Sequence, residues 1–438
     1  MTNLRAGVLI SALLASATAS AQPSGADADG AQVTAIYPDV EKLYIDLHQN
    51  PEIAFHEQRT AATLAARVKA LGYDVTTGVG GTGIVAILKN GPGPVVMLRT
   101  ELDALPMEEK TGLPFASTVK TKTDAGDTVS VGHMCGHDLH MAAWAGTAEL
   151  MAKNRKRWSG TLMLVGQPAE ETISGASAML RDGLFTRFPK PDHALGMHVD
   201  GTLPAGVIGF HAGFFRAAST SLDMTVFGKG GHGAYPHDTI DPVVLAARII
   251  LVLQTIVSRE TNPLDPAVIT VGSIHGGSAP NIIPDEVKLQ LTVRSLDPQV
   301  HKRLLAAIRR EATGEAVAAN APKEPLVETK ASTDSVYNDP ALTKRVVATA
   351  RAALGAARVV EMTAVMGGED FSQFGLAGVH SVLLHVGAVD AAKLEASRKN
   401  GVPVPGVHSP LWAPVREPTL KAAIRAEMAI LMDLLKRR

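Results

Sequence analysis

The stretch Val131–His140 concentrates side chains that can bind a metal ion, because it holds three histidines, the only cysteine of the chain and an aspartate. Cys135 and His137 are two residues apart, a spacing that would place them on different sides of a helix, so both can face one ion only from a loop or bend. Gly132 and Gly136 permit such a bend. A lone Cys-x-His pair is a weak metal signal, and a polar loop whose histidines only form hydrogen bonds stays the alternative at this point.

Further residues of metal-binding type follow the predicted strands of the same domain. The candidate set is Cys135, His137, Glu170, Glu171, His198 and His408. Each has an ordinary explanation when taken alone, such as a hydrogen-bonded histidine or a solvated pair of glutamates. Functional groups of an open α/β sheet collect at the carboxyl ends of its strands, so the set as a whole predicts a metal site there.

Glu170 and Glu171 pose an electrostatic problem that a cation would solve. Two neighbouring carboxylates in a cleft disfavour each other's ionisation. If one carboxylate binds a metal ion, the other is free to act as a base. Metal-assisted hydrolysis uses this arrangement, because the ion lowers the pKa of bound water and a nearby carboxylate accepts the proton.

Strand and helix patterns divide the chain into two folding units. Alternating apolar strands and amphipathic helices predict a mostly parallel α/β sheet for residues 33–213, and the same pattern returns over residues 329–438. Between them, residues 214–328 follow the βαββαβ order of a ferredoxin-like module, so we expect an inserted α+β domain. A tail rich in serine, glycine, alanine and aspartate near residues 23–32 is expected to precede the first helix, Val40–His48.

Composition narrows the class of protein. With 438 residues, 46% hydrophobic and 19% charged, the chain has the make-up of a soluble globular enzyme. The net charge of -1 gives no basic face for nucleic acid or for a membrane surface, which favours a small-molecule partner. Residues 1–21 have the form of a cleavable signal peptide ending at Ala19-Ser-Ala21, so we expect an exported protein, periplasmic or secreted. No later apolar stretch reaches the ~20 uncharged residues of a membrane span.

Eight short motifs resemble those of one enzyme family, in the same order along nearly the whole mature chain. They are Leu47-His-x-x-Pro-Glu52, Arg99-x-Glu-x-Asp-Ala-Leu-Pro106, Cys135-Gly-His-Asp138, Gln167-Pro-Ala-Glu-Glu171, Gly230-Gly-His-Gly-Ala-x-Pro-His237, Ala279-Pro-Asn-Ile-Ile-Pro284, Gly368-Glu-Asp-Phe371 and His408-Ser-Pro410. The family comprises the dinuclear metallo-amidohydrolases, including hippurate hydrolase, N-acyl-amino-acid amidohydrolases and plant auxin-conjugate hydrolases. The resemblance implies hydrolysis of the amide bond of N-acyl or N-aroyl amino acids.

The resemblance also implies a role for each matching residue. The implied metal ligands are Cys135, His137, Glu171, His198 and His408, with Cys135 bridging two ions. Glu170 would be the general base, and Asp103 would orient the metal centre without binding it. In the inserted domain, His232 would reach an active site and stabilise the oxyanion, Asn281 would contact substrate, and Arg294 would bind a substrate carboxylate or form a plain surface ion pair.

The implied cofactors are two divalent metal ions per subunit, zinc or manganese, with cobalt or nickel as further options for this mixed ligand set. The inserted domain would act as a lid and join subunits into a homo-oligomer. Two rivals stay open: a metallo-dipeptidase or carboxypeptidase, and a non-catalytic solute-binding protein. The free base Glu170 argues against the second, because binding requires no base.

Overall fold

The computed structural model describes residues 25–437, so the predicted signal peptide, residues 1–21, lies outside the described residues. Its larger sheet has eight strands. From one edge to the other they are Asp74–Val79, Gly83–Asn90, Gly160–Gln167, Val95–Glu101, His193–Pro204, His380–Val389, Ile208–Phe210 and Val359–Glu361. The third to sixth strands in this order are parallel, so their carboxyl ends share one edge of the sheet.

Alternate residues of the central strands enter two different cores. Val96 and Leu98 join a core with the helices of one face, whereas Met97 joins a core on the other face. The first face is covered by Gly25–Gln49, Gln58–Ala70, His137–Lys153, Pro340–Leu354 and Arg416–Leu434. Shorter helices elsewhere in this domain are Gly175–Arg181, Leu184–Arg187, Ser372–Leu376 and Ala391–Asn400. Burial on both faces explains why these strands are continuously apolar in sequence.

The first helix corrects the prediction of a tail near residues 23–32. The helix Gly25–Gln49 begins inside that segment. Val33, Val40 and Tyr44 are buried at helical spacing in the large core, so tertiary packing extends the helix to residues that composition assigned to a tail.

The second sheet is antiparallel and has four strands. Their spatial order is Ala267–His275, Glu286–Ser295, Ala218–Phe227 and Leu326–Thr333. The helices Pro242–Thr255 and Pro298–Ala318 pack on this sheet, which completes the βαββαβ order of a ferredoxin-like domain. Both helices begin with proline, and the side chains of Asp241 and Asp297 accept the first free backbone N–H groups.

Three two-stranded ribbons complete the fold. They pair Gly213–Arg216 with Val336–Asn338, Gly231–His232 with Ile282–Ile283, and Lys120–Lys122 with Thr128–Ser130. The first ribbon brings the two connections between the domains side by side. The predicted fold class, a mostly parallel α/β domain with an inserted α+β domain, is confirmed. The exact boundaries at residues 214 and 328 stay predictions.

One helical segment of the inserted domain is unusually apolar. Within the described residues, Pro242–Glu260 has the length and hydropathy that a membrane span requires. However, Leu245 and Leu253 are buried in the core of the inserted domain, while Val244 and Leu251 are exposed. Length and composition cannot separate a membrane span from such a domain helix, and the packing gives this segment one core face and one free apolar face.

Candidate metal centre

The structure brings Cys135 together with two predicted histidine ligands from distant parts of the chain. The sulfur of Cys135 lies 3.4 Å from Nε2 of His198 and 3.2 Å from Nε2 of His408. Cys135 and His198 are buried. His408 comes from the loop near the carboxyl terminus and has positive φ, 65°, which turns it towards the cysteine. A thiolate with two imidazoles is a ligand set suited to zinc and related divalent ions.

The glutamate pair completes the cluster on its other side. Glu171 Oε2 lies 3.5 Å from Nε2 of His408, and Glu171 Oε1 lies 3.9 Å from Nε2 of His137. Glu170 Oε2 lies 3.7 Å from the same nitrogen of His137. The ligand atoms of Cys135, Glu171 and His408 are all within 4.8 Å of one another, as are those of His137 and the two glutamates. Two overlapping groups of potential ligands therefore share Glu171.

A bend at Gly136 lets Cys135 and His137 face the same site. Gly136 has φ of 82° and precedes the helix His137–Lys153, so Cys135 lies before the helix and His137 is its first residue. A β-carbon at Gly136 would come within 2.6 Å of Val199 Cγ2, which leaves no room for a larger residue. The bend predicted from the sequence is present.

Hydrogen bonds orient two of the imidazoles. His137 Nδ1 lies 2.8 Å from the backbone oxygen of Asp103, and His198 Nδ1 lies 2.7 Å from that of Val199. A backbone oxygen can only accept, so each Nδ1 carries the proton and each Nε2 presents a lone pair to the cluster. His140 differs, because its Nε2 already accepts the Val199 N–H and its Nδ1 is bonded to Glu101, so it has no lone pair left for a metal.

Unpartnered polar atoms show that the cluster fits a cation. Among the described residues, His137 Nε2, Glu171 Oε1 and Asp103 Oδ1 are buried without a hydrogen-bond partner. Buried polar atoms without partners are costly and rare in folded proteins. His137 Nε2 and Glu171 Oε1 are acceptors 3.9 Å apart, which is an arrangement that a divalent cation satisfies, whereas Asp103 Oδ1 lies 3.5 Å from the other ring nitrogen of His137, Nδ1. Asp103 is further tied to the site because its Oδ2 accepts the backbone N–H of Glu171 at 2.9 Å.

Burial disfavours the ionisation of both Glu170 and Glu171. Burial, together with the carboxylates of Glu369 and Glu171, raises the pKa of Glu170 well above its ordinary value. Burial likewise raises the pKa of Glu171 to about 7, against the opposing effect of His137. A nearby cation would lower both pKa values, since it stabilises the ionised forms.

The loop that carries the glutamates is strained and held by other carboxylates. Ala169 has φ of 51°, an unfavourable value for a residue with a β-carbon. Its backbone N–H is accepted at 2.9 Å by Glu57, a fully buried side chain that also accepts the Phe55 N–H and the Thr82 hydroxyl. None of the eight motifs contains Glu57, which lies 112 residues before Ala169.

A second network surrounds the buried Arg99, a residue for which the sequence predicted no role. Its guanidinium donates to Gln167 at 2.9 Å, to Glu369 at 2.8 Å and to Asp370 at 3.2 Å, and it also pairs with Glu101. Asp370 in turn accepts from the Gln167 side chain at 2.7 Å. These residues belong to three of the quoted motifs, so the motifs were the available signal. The network joins the strand ends that carry the metal-binding residues.

The structure does not place the inserted-domain candidates in the metal cluster. His232 and Asn281 are exposed; His232 lies on the ribbon Gly231–His232, and Asn281 directly precedes the strand Ile282–Ile283 paired with it. The Gly233 N–H donates to the Asn281 backbone oxygen at 2.8 Å. The His232 Nδ1 accepts the Ala234 N–H at 3.0 Å, which leaves the Nε2–H as an outward donor. Arg294 is half-buried, and its Nη1 donates to the backbone oxygen of Met366 at 2.8 Å. Among residues 25–437 it forms no ion pair.

Known proteins share both the sequence and the fold. The family model described as peptidase family M20/M25/M40 matches residues 97–399, more than half of the chain. The chain belongs to this family. The M20/M25/M40 assignment confirms the resemblance read from the motifs and the expectation of a hydrolase that acts on amide bonds, while the individual residue roles stay predictions.

Individual members give the range of named activities. N-acetyl-L-cysteine deacetylase of Bacillus subtilis strain 168 is 36% identical over 329 residues, which cover 75% of this chain and 75% of the relative. Thermostable carboxypeptidase 2 of Saccharolobus solfataricus is 36% identical over 336 residues, which cover 75% of this chain and 80% of the relative. The solved structure of the Bacillus subtilis YXEP protein, described as a dinuclear metal binding peptidase of family M20, has a TM-score of 0.73 and 27% identity over 91% of this chain and 98% of that chain.

Proposed function

We propose that this M20/M25/M40 enzyme hydrolyses N-acyl or N-aroyl amino acids with Glu170 as general base. The observation that carries the proposal is the convergence of Cys135, His137 and Glu171 beside a second carboxylate, Glu170, that is not held by a hydrogen bond. Within the described part of the chain, the Glu170 carboxylate makes no hydrogen bond, and its Oε2 lies 3.7 Å from Nε2 of His137. A buried carboxylate left free beside a ligand set is placed to move a proton.

The ligand set would hold two divalent ions, with zinc or manganese as the proposed metals and cobalt or nickel as alternatives. Holding them would fall to Cys135, His137, Glu171, His198 and His408. When bound, such ions lower the pKa of water and polarise the substrate carbonyl. Supporting observations are the lone pairs presented by the oriented imidazoles and the unpartnered carboxylate oxygens.

Proton movement in the proposed reaction belongs to Glu170. Its carboxylate takes a proton from the attacking water as the new C–O bond forms at the carbonyl carbon. It then gives that proton to the nitrogen as the C–N bond breaks, so that a carboxylic acid and an amino acid are released. His232 would donate its Nε2–H to the oxyanion that forms between these steps.

A carboxypeptidase or dipeptidase activity is the second candidate, because a thermostable carboxypeptidase is among the relatives at 36% identity. The two activities differ in whether the acyl side of the substrate carries a free amine. The deciding assay measures amino-acid release from N-acetyl, N-benzoyl and long-chain N-acyl amino acids beside dipeptides of the same leaving residue. Faster release from every dipeptide than from every N-acyl amino acid would replace the first proposal by the second.

Self-association through the inserted domain is also proposed. The helix Pro242–Thr255 exposes Val244 and Leu251, and Ala267–His275, an edge strand of the small sheet, exposes Ile274. Exposed apolar side chains beside an unpaired strand edge favour coverage by a second subunit. Light scattering after size-exclusion chromatography should find a dimer or larger assembly, and Leu251→Glu should shift it towards monomer. A wild-type monomer would refute this part of the proposal.

Export is proposed from residues 1–21 alone. The expected observation is a mature chain that begins near Gln22 in the periplasm or culture medium. Amino-terminal sequencing of the protein from its native host checks it, and an intact Met1 on the mature protein would contradict it.

A further inference from the structure

His48 belongs to the first of the eight motifs, Leu47-His-x-x-Pro-Glu52, and neither metal binding nor the proposed proton transfer gives it a role. It lies in the last turn of the helix Gly25–Gln49, and its side chain is buried. Burying a polar ring is costly unless its nitrogens find partners. The partners of His48 therefore indicate what it does.

Both ring nitrogens of His48 lie against carboxylates. Nδ1 lies 2.6 Å from Asp138 Oδ2, and Nε2 lies 3.1 Å from Glu109 Oε1. The side chains of the two acids are as buried as the ring. Burial lowers the pKa of His48, but the hydrogen bonds to Asp138 and Glu109 outweigh this effect and raise the pKa to about 10. The ring is a cation that donates one N–H to each carboxylate.

Asp138 connects His48 to the buried part of the metal centre. It directly follows the proposed ligand His137 in the first turn of the helix His137–Lys153. Its two oxygens have different partners, because Oδ1 accepts the Leu139 N–H at 2.9 Å while Oδ2 faces His48. One side of the His48 ring therefore holds the helix start that carries His137.

Glu109 holds the other side of the ring and organises the loop around itself. Its Oε2 accepts the Ser117 N–H at 2.7 Å, and its Oε1 also accepts from the Thr111 hydroxyl. The carboxylate thus joins His48 to two further points of the segment 109–117. This segment is fixed relative to the end of the first helix.

The same segment contacts the loop that carries His408. Lys110, the residue after Glu109, donates its backbone N–H to the Pro410 oxygen at 2.7 Å. Pro410 lies two residues after His408, whose own backbone N–H donates to the Met134 oxygen at 2.7 Å. The His408 side chain is 54% exposed, whereas the other two proposed histidine ligands are buried. Hydrogen bonds of its loop therefore do more than burial to fix this ligand.

We infer that His48 is a positioning residue that joins the helix start at His137 to the loop of His408, and so sets the spacing of the two parts of the ligand set. An ion held by both parts binds more tightly when their spacing is fixed before it arrives. This inference rests on the proposed function, because it assigns His48 a role towards the metal ions that the proposed reaction uses.

The test measures metal affinity as well as activity. Cobalt is the probe, because it is among the proposed metals and its absorption spectrum reports thiolate and imidazole ligands. His48→Gln removes the charge and keeps at most one of the two hydrogen bonds. In competition with a chelator, this variant should bind cobalt roughly 10-fold more weakly than wild type, the scale for groups that orient metal ligands. At saturating cobalt, kcat should stay within about threefold of wild type, because the bound ion then holds its ligands in place.

Glu109→Gln and the double variant separate positioning from stability. Glu109→Gln should also weaken cobalt binding, and the double variant should bind cobalt no more weakly than His48→Gln, because both substitutions break one link. His48→Gln leaves the Glu109 carboxylate buried without its cation, and the double variant removes that charge. Its melting temperature should therefore exceed that of His48→Gln while cobalt affinity stays low.

His380→Gln is the matched control, because this ring also faces a carboxylate, Asp339 at 3.0 Å, but is 69% exposed at the start of its strand. It should bind cobalt like wild type. Wild-type cobalt affinity in His48→Gln would overturn the inference, and so would additive losses in the double variant or affinities that simply follow the melting temperatures. If His48→Gln does not fold, wild-type affinity in Glu109→Gln overturns it instead.

These results leave the proposed function in place as long as the wild-type protein binds cobalt and hydrolyses N-acyl amino acids. A wild-type protein that binds no divalent ion would refute the proposed function, and the inference would fall with it.

Discussion

The metal centre and the ribbon that carries His232 differ in how strongly burial and hydrogen bonds fix their side chains. Cys135, His137 and His198 are buried, and the two imidazoles are held by backbone oxygens. His232 is exposed on a two-stranded ribbon of the inserted domain, and Asn281 is exposed directly before the second strand of that ribbon. The large sheet thus presents a preformed ligand set, whereas the two candidate residues of the inserted domain are exposed and lie outside it.

This contrast favours a division of labour between the domains. Groups that hold ions gain from rigidity, since unsatisfied ligand atoms would otherwise be costly. A group that serves only the transition state can arrive by domain movement or from a partner subunit. The paired connections Gly213–Arg216 and Val336–Asn338 are where such a movement would be accommodated.

The largest expected effect comes from separating the two glutamates. Glu170→Gln should retain the metal and lower kcat roughly 10²-fold or more, because the general base is lost. Glu171→Gln should instead lose metal, since it removes the carboxylate shared by two ligand groups. Elemental analysis beside steady-state kinetics distinguishes them, and the reverse pattern would exchange the two assignments.

His232→Ala tests whether the exposed His232 takes part in the reaction. We expect kcat to fall by an amount that corresponds to ~3 kcal/mol of activation free energy, the scale for an oxyanion donor. KM and metal content should change little. His237→Ala is the matched control, because this histidine lies on the same segment and its side chain is 74% exposed. Full activity of His232→Ala would end the proposal.

Subunit mixing then asks how His232 reaches the centre. If subunits exchange, a mixture of inactive His232→Ala and Glu170→Gln proteins should regain activity when His232 acts across the interface. Activity stays lost if each subunit supplies its own His232. In that case the inserted domain would close over the metal centre of its own chain.

Glu57→Gln should have a smaller effect on catalysis. The substitution weakens the hydrogen bond that holds Ala169 in its unfavourable backbone conformation, so Glu170 would be less well positioned. We expect kcat to fall roughly 10-fold with metal content unchanged. Glu52→Gln is a suitable control, because the Glu52 side chain also accepts two backbone N–H groups, from Arg59 and Thr60, but makes no hydrogen bond to residues 168–171 within the described chain. Equal effects of both substitutions would argue against a positioning role.

The buried carboxyl group of Glu427, in the domain that holds the metal centre, should make the stability of the protein depend on pH. Burial raises the pKa of Glu427 to about 8, against a hydrogen bond from Thr147. The folded protein keeps this proton while the unfolded chain loses it near pH 4.5, so the contribution of Glu427 to stability falls as pH rises between these values. Its slope approaches ~1.4 kcal/mol per pH unit. Urea unfolding at several pH values should show a shallower fall for Glu427→Gln, and an unchanged slope would contradict the assignment.

Features of the fold that depend on local sequence patterns were predicted better than contacts between residues far apart in the sequence. The central strands were predictable because burial on both faces requires continuous apolar segments. Cys135 and His408 were recognisable because few residue types bind metals, and the motifs supplied their pairing. Arg99 and Glu369 were harder, since only the fold brings together residues 270 positions apart. The helix start at Gly25 was misjudged because its small residues suggested a tail, while packing of Val33 decides the outcome.

Metal stoichiometry measured together with activity tests the central claim most directly. Protein prepared without chelator should contain about two divalent transition-metal ions per chain, the number proposed for this ligand set. Chelation should abolish hydrolysis of N-acyl amino acids, and stoichiometric zinc or manganese should restore it. Full activity in a preparation that contains no bound transition metal would contradict the account.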